Sequence, residues 1–260
     1  MPLATLFVVA PARSPSLGED TRRACLWTCQ DRPAICRIAE GGILSPLVCI
    51  SQALDAGELF DQVVVLRDEL LITGLGLDAW VRERLVQGAA GLLGVLDGRL
   101  YDQGTYARYA GLFAEWGAPV AAWRGGRPVL HDAFLAMPRR LVERLFTQQW
   151  LIPAGADRWD LPLGVYLSWL AAMSGWYVVG WGSTQRQIPP LYITETPQDP
   201  GPHLLLPEFS VYWPLTRVRG YAEGELRMWY QQQRGEIVPE WSPTRPLAIG
   251  RGFQEAPIDG

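Results

Sequence analysis

Apolar and polar positions alternate along the first hundred residues in a way that predicts strands and helices in turn. Leu6–Arg13 is an apolar run that leaves through a turn, because Pro11 and the Ser14-Pro15 pair break it. Ser16–Gln30 has helical character, and a short strand is expected within 33–42, before the Gly41-Gly42 break. Ser45–Leu59 reads as a helix, with Ser45 as its cap, Pro46 at its first position and Gly57 near its end. The uninterrupted run Val63-Val64-Val65-Leu66 predicts a strand buried on both faces, ending in Arg67-Asp68-Glu69. Leu77, Trp80, Val81, Arg84 and Leu85 recur at helical spacing, and residues 89–98 read as another buried strand. This alternation indicates an α/β sheet, parallel at its start.

The second half has a different texture. Residues 106–117 read as a helix, Val129–Met137 as extended, Pro138 as a helix start and Arg139–Gln149 as the helix itself. A helix over Leu163–Met173, a break at Gly175 and a strand over Trp176–Trp181 follow. Beyond Pro189-Pro190 the pattern becomes irregular, apart from one helix from Glu223 to about Arg234. The last twenty residues, rich in Pro and Gly, are expected to wrap the surface. The expected division is an α/β domain over 1–195 and a C-terminal extension over 196–260.

Composition narrows the function classes. The chain has 260 residues, 48% hydrophobic and 19% charged, enough to bury a substantial core. A net charge of −4 argues against general nucleic-acid binding. All 23 basic residues are Arg, which suits a bidentate grip on phosphate or carboxylate and equally reflects codon bias. No apolar run is long enough to span a membrane. The N-terminal apolar stretch lacks a basic flank and reads as a strand rather than a signal peptide, so a cytoplasmic location is expected. Cys25, Cys29, Cys36 and Cys49 fit no zinc-knuckle spacing and are expected to be buried free thiols.

The order of these pieces resembles the family 2-type glycosyltransferases of GT-A fold, over roughly residues 5–195. Residues 40–69 fill the place of the helix leading to that family's acidic DxD-like motif. The segments 76–86 and 91–98 fill the next helix and strand. Residues 131–145 look like the acceptor-side strand and helix, and 157–183 look like the catalytic-acid helix and the strand after it. The resemblance implies a GT-A-like mixed sheet flanked by helices, a nucleotide-diphosphate sugar as donor and transfer to an acceptor hydroxyl, with inversion. The DxD motif is degenerate: Arg67-Asp68-Glu69 stands in its place, and Ala10-Pro11-Ala12-Arg13 follows the first strand.

Several residues are candidates on this reading. Arg13, Arg67, Asp68 and Arg186 would bind the donor. Asp68, with His131, would hold a Mg or Mn ion, for which a second convergent carboxylate is lacking. Asp157 or Asp160 would act as general base on the acceptor hydroxyl; each also suits helix N-capping. Trp159, Trp169, Trp176 and Trp181 could stack on a sugar or fill the core. Arg217 and Arg219 could clamp an anion, and His203 reads as a loop residue. His131 and Asp132 form a second polar pair that serves either chemistry or local hydrogen bonding. The rival reading is a catalytically degenerate GT-A-like binding or scaffold subunit. A nucleotidyltransferase is disfavoured by the absence of a Gly-rich loop with a Lys.

Overall fold

A computed structural model describes residues 3–10, 15–42, 44–98, 103–115, 128–147, 161–194, 208–213 and 223–237. The elements run β1 (Ala4–Ala10), α1 (Pro15–Thr28), β2 (Ala34–Ile38), α2 (Ser45–Asp55), β3 (Phe60–Arg67), β4 (Leu71–Ile72), α3 (Leu77–Gln87) and β5 (Ala90–Leu96). They continue with α4 (Gln103–Glu115), β6 (Leu130–Pro138), α5 (Arg139–Phe146), α6 (Leu163–Met173), β7 (Tyr177–Ser183), β8 (Leu191–Ile193), β9 (Val211–Trp213) and α7 (Glu223–Gln233).

Six strands form a mixed sheet in the order β2-β1-β3-β6-β5-β7. β1 pairs in parallel with β2 and β3, and β5 in parallel with β7. β6 lies antiparallel between β3 and β5 and is the one reversed strand of this sheet. The α/β sheet expected from the alternating pattern is therefore present, parallel at its start, and it is a mixed sheet.

The pleat sends alternate residues of β1 and β3 to opposite faces. Leu6, Val8, Val63 and Val65 join one core with Leu47 and Ile50 of α2, Leu141 and Leu145 of α5, and Tyr166 and Trp169 of α6. Phe7, Val64 and Leu66 join the other with Ala24 and Cys25 of α1, Leu77, Trp80 and Val81 of α3, and residues of a second, smaller sheet. That sheet has the order β4-β9-β8, with β9 antiparallel to β4 and parallel to β8. Its strands β8 and β9 lie in the stretch beyond Pro190 that the sequence pattern left irregular.

Boundaries differ in a few places. The described part of the first strand is Ala4–Ala10, and residues 11–14 lie outside the described residues. Ser45 does not cap α2: Leu44 occupies the cap position, and the Ser45 hydroxyl is buried without a hydrogen-bond partner. The chain already turns one residue earlier, with Ser45 N–H donating to the Gly42 carbonyl at 2.9 Å, so Ser45 is the first helical residue and Pro46 follows it. The strand expected at Trp176–Trp181 is shifted to Tyr177–Ser183. Leu163–Met173 forms a helix with the expected bounds, and Gly175, at φ 79°, ends it.

α6 is fastened to the sheet at its N-terminus. The Asp132 carboxylate of β6 accepts the Gly164 N–H at 2.6 Å, satisfying one of the orphan donors of the first turn. The Ser168 hydroxyl accepts the Leu130 N–H at 3.0 Å. The approach is close because position 164 is glycine: a Cβ there would lie 2.0 Å from the Leu130 carbonyl oxygen.

Candidate functional site

In open α/β sheets, ligands bind outside the carboxyl ends of the strands, where consecutive connections depart in opposite directions. Here that point lies between β1 and β3, since β2 adds on one side of β1 and β3 on the other. The last paired residues at this point are Ala10 and Arg67. β6 is reversed, so its first residues, Leu130, His131 and Asp132, share the edge with the ends of β3, β5 and β7. Arg67, Asp68, Glu69, Asp97, His131, Asp132 and the loop after Ser183 are thus brought to one edge. Residues far apart in sequence meet there because the sheet reverses a single strand.

Asp68 sits in the turn that ends β3, where the Leu70 N–H returns to the Arg67 carbonyl at 3.2 Å. Only 2% of Asp68 is exposed. Its backbone carbonyl accepts the Thr21 hydroxyl at 2.6 Å and the Arg227 guanidinium at 3.3 Å. Arg67 and Glu69 are half-buried. The Glu69 carboxylate accepts the Trp213 indole N–H at 3.1 Å. The Trp213 ring packs on the His131 imidazole, with centroids 4.8 Å apart. His131 is itself buried, and its Nδ1 accepts the Ala133 N–H at 3.1 Å, which assigns the ring proton to Nε2.

Nδ1 of His131 is committed to the backbone. Among the described residues, no group of three or more His, Cys, Asp or Glu is placed to hold a cation.

Arg186 lies at the exposed tip of the loop after β7. Its N–H bonds the Ser183 hydroxyl at 3.0 Å, and its carbonyl accepts the Ser183 N–H at 2.8 Å. The loop is stitched to the end of β5: Thr184 N–H donates to the Leu96 carbonyl at 2.9 Å, and the Thr184 hydroxyl accepts the Gly98 N–H at 2.7 Å. Arg186 is therefore carried on the same edge as Arg67.

Arg13, Asp157, Asp160, Trp159, His203, Arg217 and Arg219 lie outside the described residues. Of the remaining tryptophans, Trp169 is in the core, stacked on Phe113 at 3.6 Å. Trp181 packs edge-on against Trp80 under the Arg84 guanidinium and donates to the Pro189 carbonyl at 2.8 Å. Trp176 carries the Arg140 guanidinium over its ring at 4.9 Å.

Sequence reasoning missed the group that shields the end of β3. Asp20 of α1 accepts from Arg227 at 2.7 Å and Gln231 at 3.0 Å, and also from Arg234, all from α7 or its end. Arg234 continues to Glu236 at 2.7 Å, which also takes Arg23 at 3.1 Å. Burial pushes the Asp20 carboxyl up, but the attraction of Arg234, the Gln231 bond and Arg227 outweigh it and hold the group below its ordinary value. Residues 227, 231 and 234 have the spacing of one helical face. That signal was available, but a polar stripe ordinarily means a solvated face. Trp213 gave no local signal at all.

No family profile matches the sequence, and no curated protein matches it. Among solved structures, the crystal structure of A197 from STIV is similar over 59% of this chain and 71% of its own, at 11% identity and a TM-score of 0.32. Likeness at that level decides neither a fold family nor a function.

Proposed function

We propose that the protein is a glycosyltransferase-like domain of GT-A type that binds a nucleotide-diphosphate sugar at the junction of β1 and β3. The observation that supports this most is the pairing of Ala10 with Arg67 at the topological switch point, with His131 and Asp132 on the same edge. The donor diphosphate would lie across the ends of β1 and β3. Its charge would be met by Arg67, with Arg13 and Arg186 from the flanking loops, since a guanidinium fork matches phosphate oxygens. The acceptor would enter from the β6 side, and Asp157 or Asp160, just ahead of α6, would take its hydroxyl proton as the anomeric carbon is attacked with inversion.

Asp68 is buried and Nδ1 of His131 is taken by the backbone, so the arginines would carry the donor's charge. These two facts also favour a second reading, in which the domain binds a nucleotide sugar or a biosynthetic partner without turning over.

Thermal-shift and calorimetric titrations with UDP-, GDP-, dTDP- and CMP-sugars, each with and without Mn, separate the readings. One donor is expected to raise the melting temperature, and Arg67→Ala to weaken its affinity by about tenfold. Turnover that falls by a factor of about 100 or more in Asp157→Asn or Asp160→Asn supports the transferase. Binding without turnover supports the second reading. The absence of any nucleotide-sugar binding would sink the donor-site proposal.

A further inference from the structure

The four cysteines are all free thiols, and the main sheet divides them between its two faces. Cys49 belongs to the face of Leu47 and Tyr166, and its thiol reaches the Ile38 carbonyl at 3.8 Å. The other three share the opposite face. Cys36 lies beside Phe7 in the β1–β2 register, so the pleat sends its side chain to the same side as Phe7, toward α1. Cys25 sits in α1 and Cys29 just past its end, four positions apart and therefore on the same side of that helix.

These three thiols are not equivalent. Cys25 is fully buried and contacts the Cys36 thiol. Cys29 is engaged instead by the Asp78 carboxylate. Cys36 is half-buried, so within the touching pair it is the sulfur that a small molecule reaches from solvent. Cys25 has no such access, and its route to oxidation runs through its neighbour. A disulfide needs the two sulfurs to close to about 2 Å, and contact across a helix–strand interface supplies the proximity that makes such a step intramolecular.

We propose that Cys25 and Cys36 are a redox modification site, which a hydroperoxide converts to a reversible disulfide joining α1 to β2. The Cys36 sulfur takes one oxygen of hydrogen peroxide as the O–O bond breaks, giving a sulfenic acid and one water. Cys25 then gives up its thiol proton, and its sulfur displaces the sulfenic hydroxyl, which leaves as a second water. Two thiols lose two electrons in all, and one peroxide gains them. The bridge would fasten α1, whose Thr21 holds the Asp68 carbonyl, to the edge strand of the main sheet. The site is independent of the donor-site reading, because it needs only the packing of α1 on β2.

The test treats the reduced full chain with hydrogen peroxide and then blocks free thiols in denaturant. Disulfides are reduced, and the thiols released are labelled and assigned by mass spectrometry after digestion. Labels on Cys25 and Cys36 are expected in wild type and in Cys29→Ala, and none in Cys36→Ser. In Cys25→Ala the bridge should be lost and dimedone should trap Cys36 as its sulfenic acid. Dithiothreitol should return the wild type to its reduced form. Cys36→Ser, at a half-buried position, keeps the test decisive if Cys25→Ala fails to fold. Absence of a disulfide in wild type, a bond between Cys29 and Cys36, or a bond between chains seen as a dimer on a non-reducing gel would each overturn the proposal.

Discussion

Asp20 is a buried carboxylate on which two arginines converge. Its carboxylate is 6% exposed and receives two arginines and a glutamine from α7 and its end. Removing the charge takes the shared carboxylate from the buried Arg227 and leaves Arg234 with Glu236. Asp20→Asn is expected to cost about 3–5 kcal/mol in chemical denaturation. The folded-state value of this carboxyl lies below its unfolded value of about 3.9. Its contribution is therefore complete above that pH and lost as pH falls through the lower, folded value. Wild type should lose stability below about pH 4 more steeply than Asp20→Asn, and parallel acid titrations of the two would expose an error. The cysteines give a second expectation at this scale. Burial pushes the Cys25 thiol up, aided by its contact with Cys36, and burial with the neighbouring Asp78 carboxylate does the same for Cys29. Both should react with a thiol reagent at neutral pH far more slowly in the native protein than after denaturation; equal rates would refute this.

At the scale of elements, α6 was the most legible. Residues 163–173 are an unbroken, mostly apolar run between Pro162 and Gly175, and the helix has those bounds. What holds its start was not legible. The nearby Asp157 and Asp160 looked like caps, yet the bond to Gly164 comes from Asp132 on β6. Asp132→Ala should cost about 1 kcal/mol through the lost cap, read as a lower denaturation midpoint. Gly164→Ala should cost more, about 1–3 kcal/mol, because the new methyl would force α6 away from the Leu130 carbonyl. If both variants melt like wild type, α6 is not anchored in this way. The second sheet was unreadable for a different reason. Its strands have two or three residues each, too short for an alternating pattern to register.

At the scale of the whole molecule, and among the described residues, the last third is tied to the first through β9 and through α7. β9 inserts between β4 and β8, and α7 delivers Arg227 and Gln231 to Asp20. A fragment of residues 1–195 would expose Ile72, Leu191 and Ile193 and leave Asp20 unpaired. It is expected to lack the cooperative thermal transition of the full chain by circular dichroism; a fragment that melts cooperatively near the full-length midpoint would show instead that 1–195 folds alone. Residue order by itself determined the α/β class, most elements of the main sheet and the polar turn after β3. Those properties come from local periodicity, from proline and glycine, and from apolar runs long enough to be recognised. Tertiary structure alone decided that β6 is reversed, that Trp213 joins His131 and Glu69 at the end of β3, and that a polar stripe on α7 faces inward. Each of these pairs residues dozens to hundreds of positions apart. Such pairings depend on which strands become neighbours, and no local pattern encodes that choice.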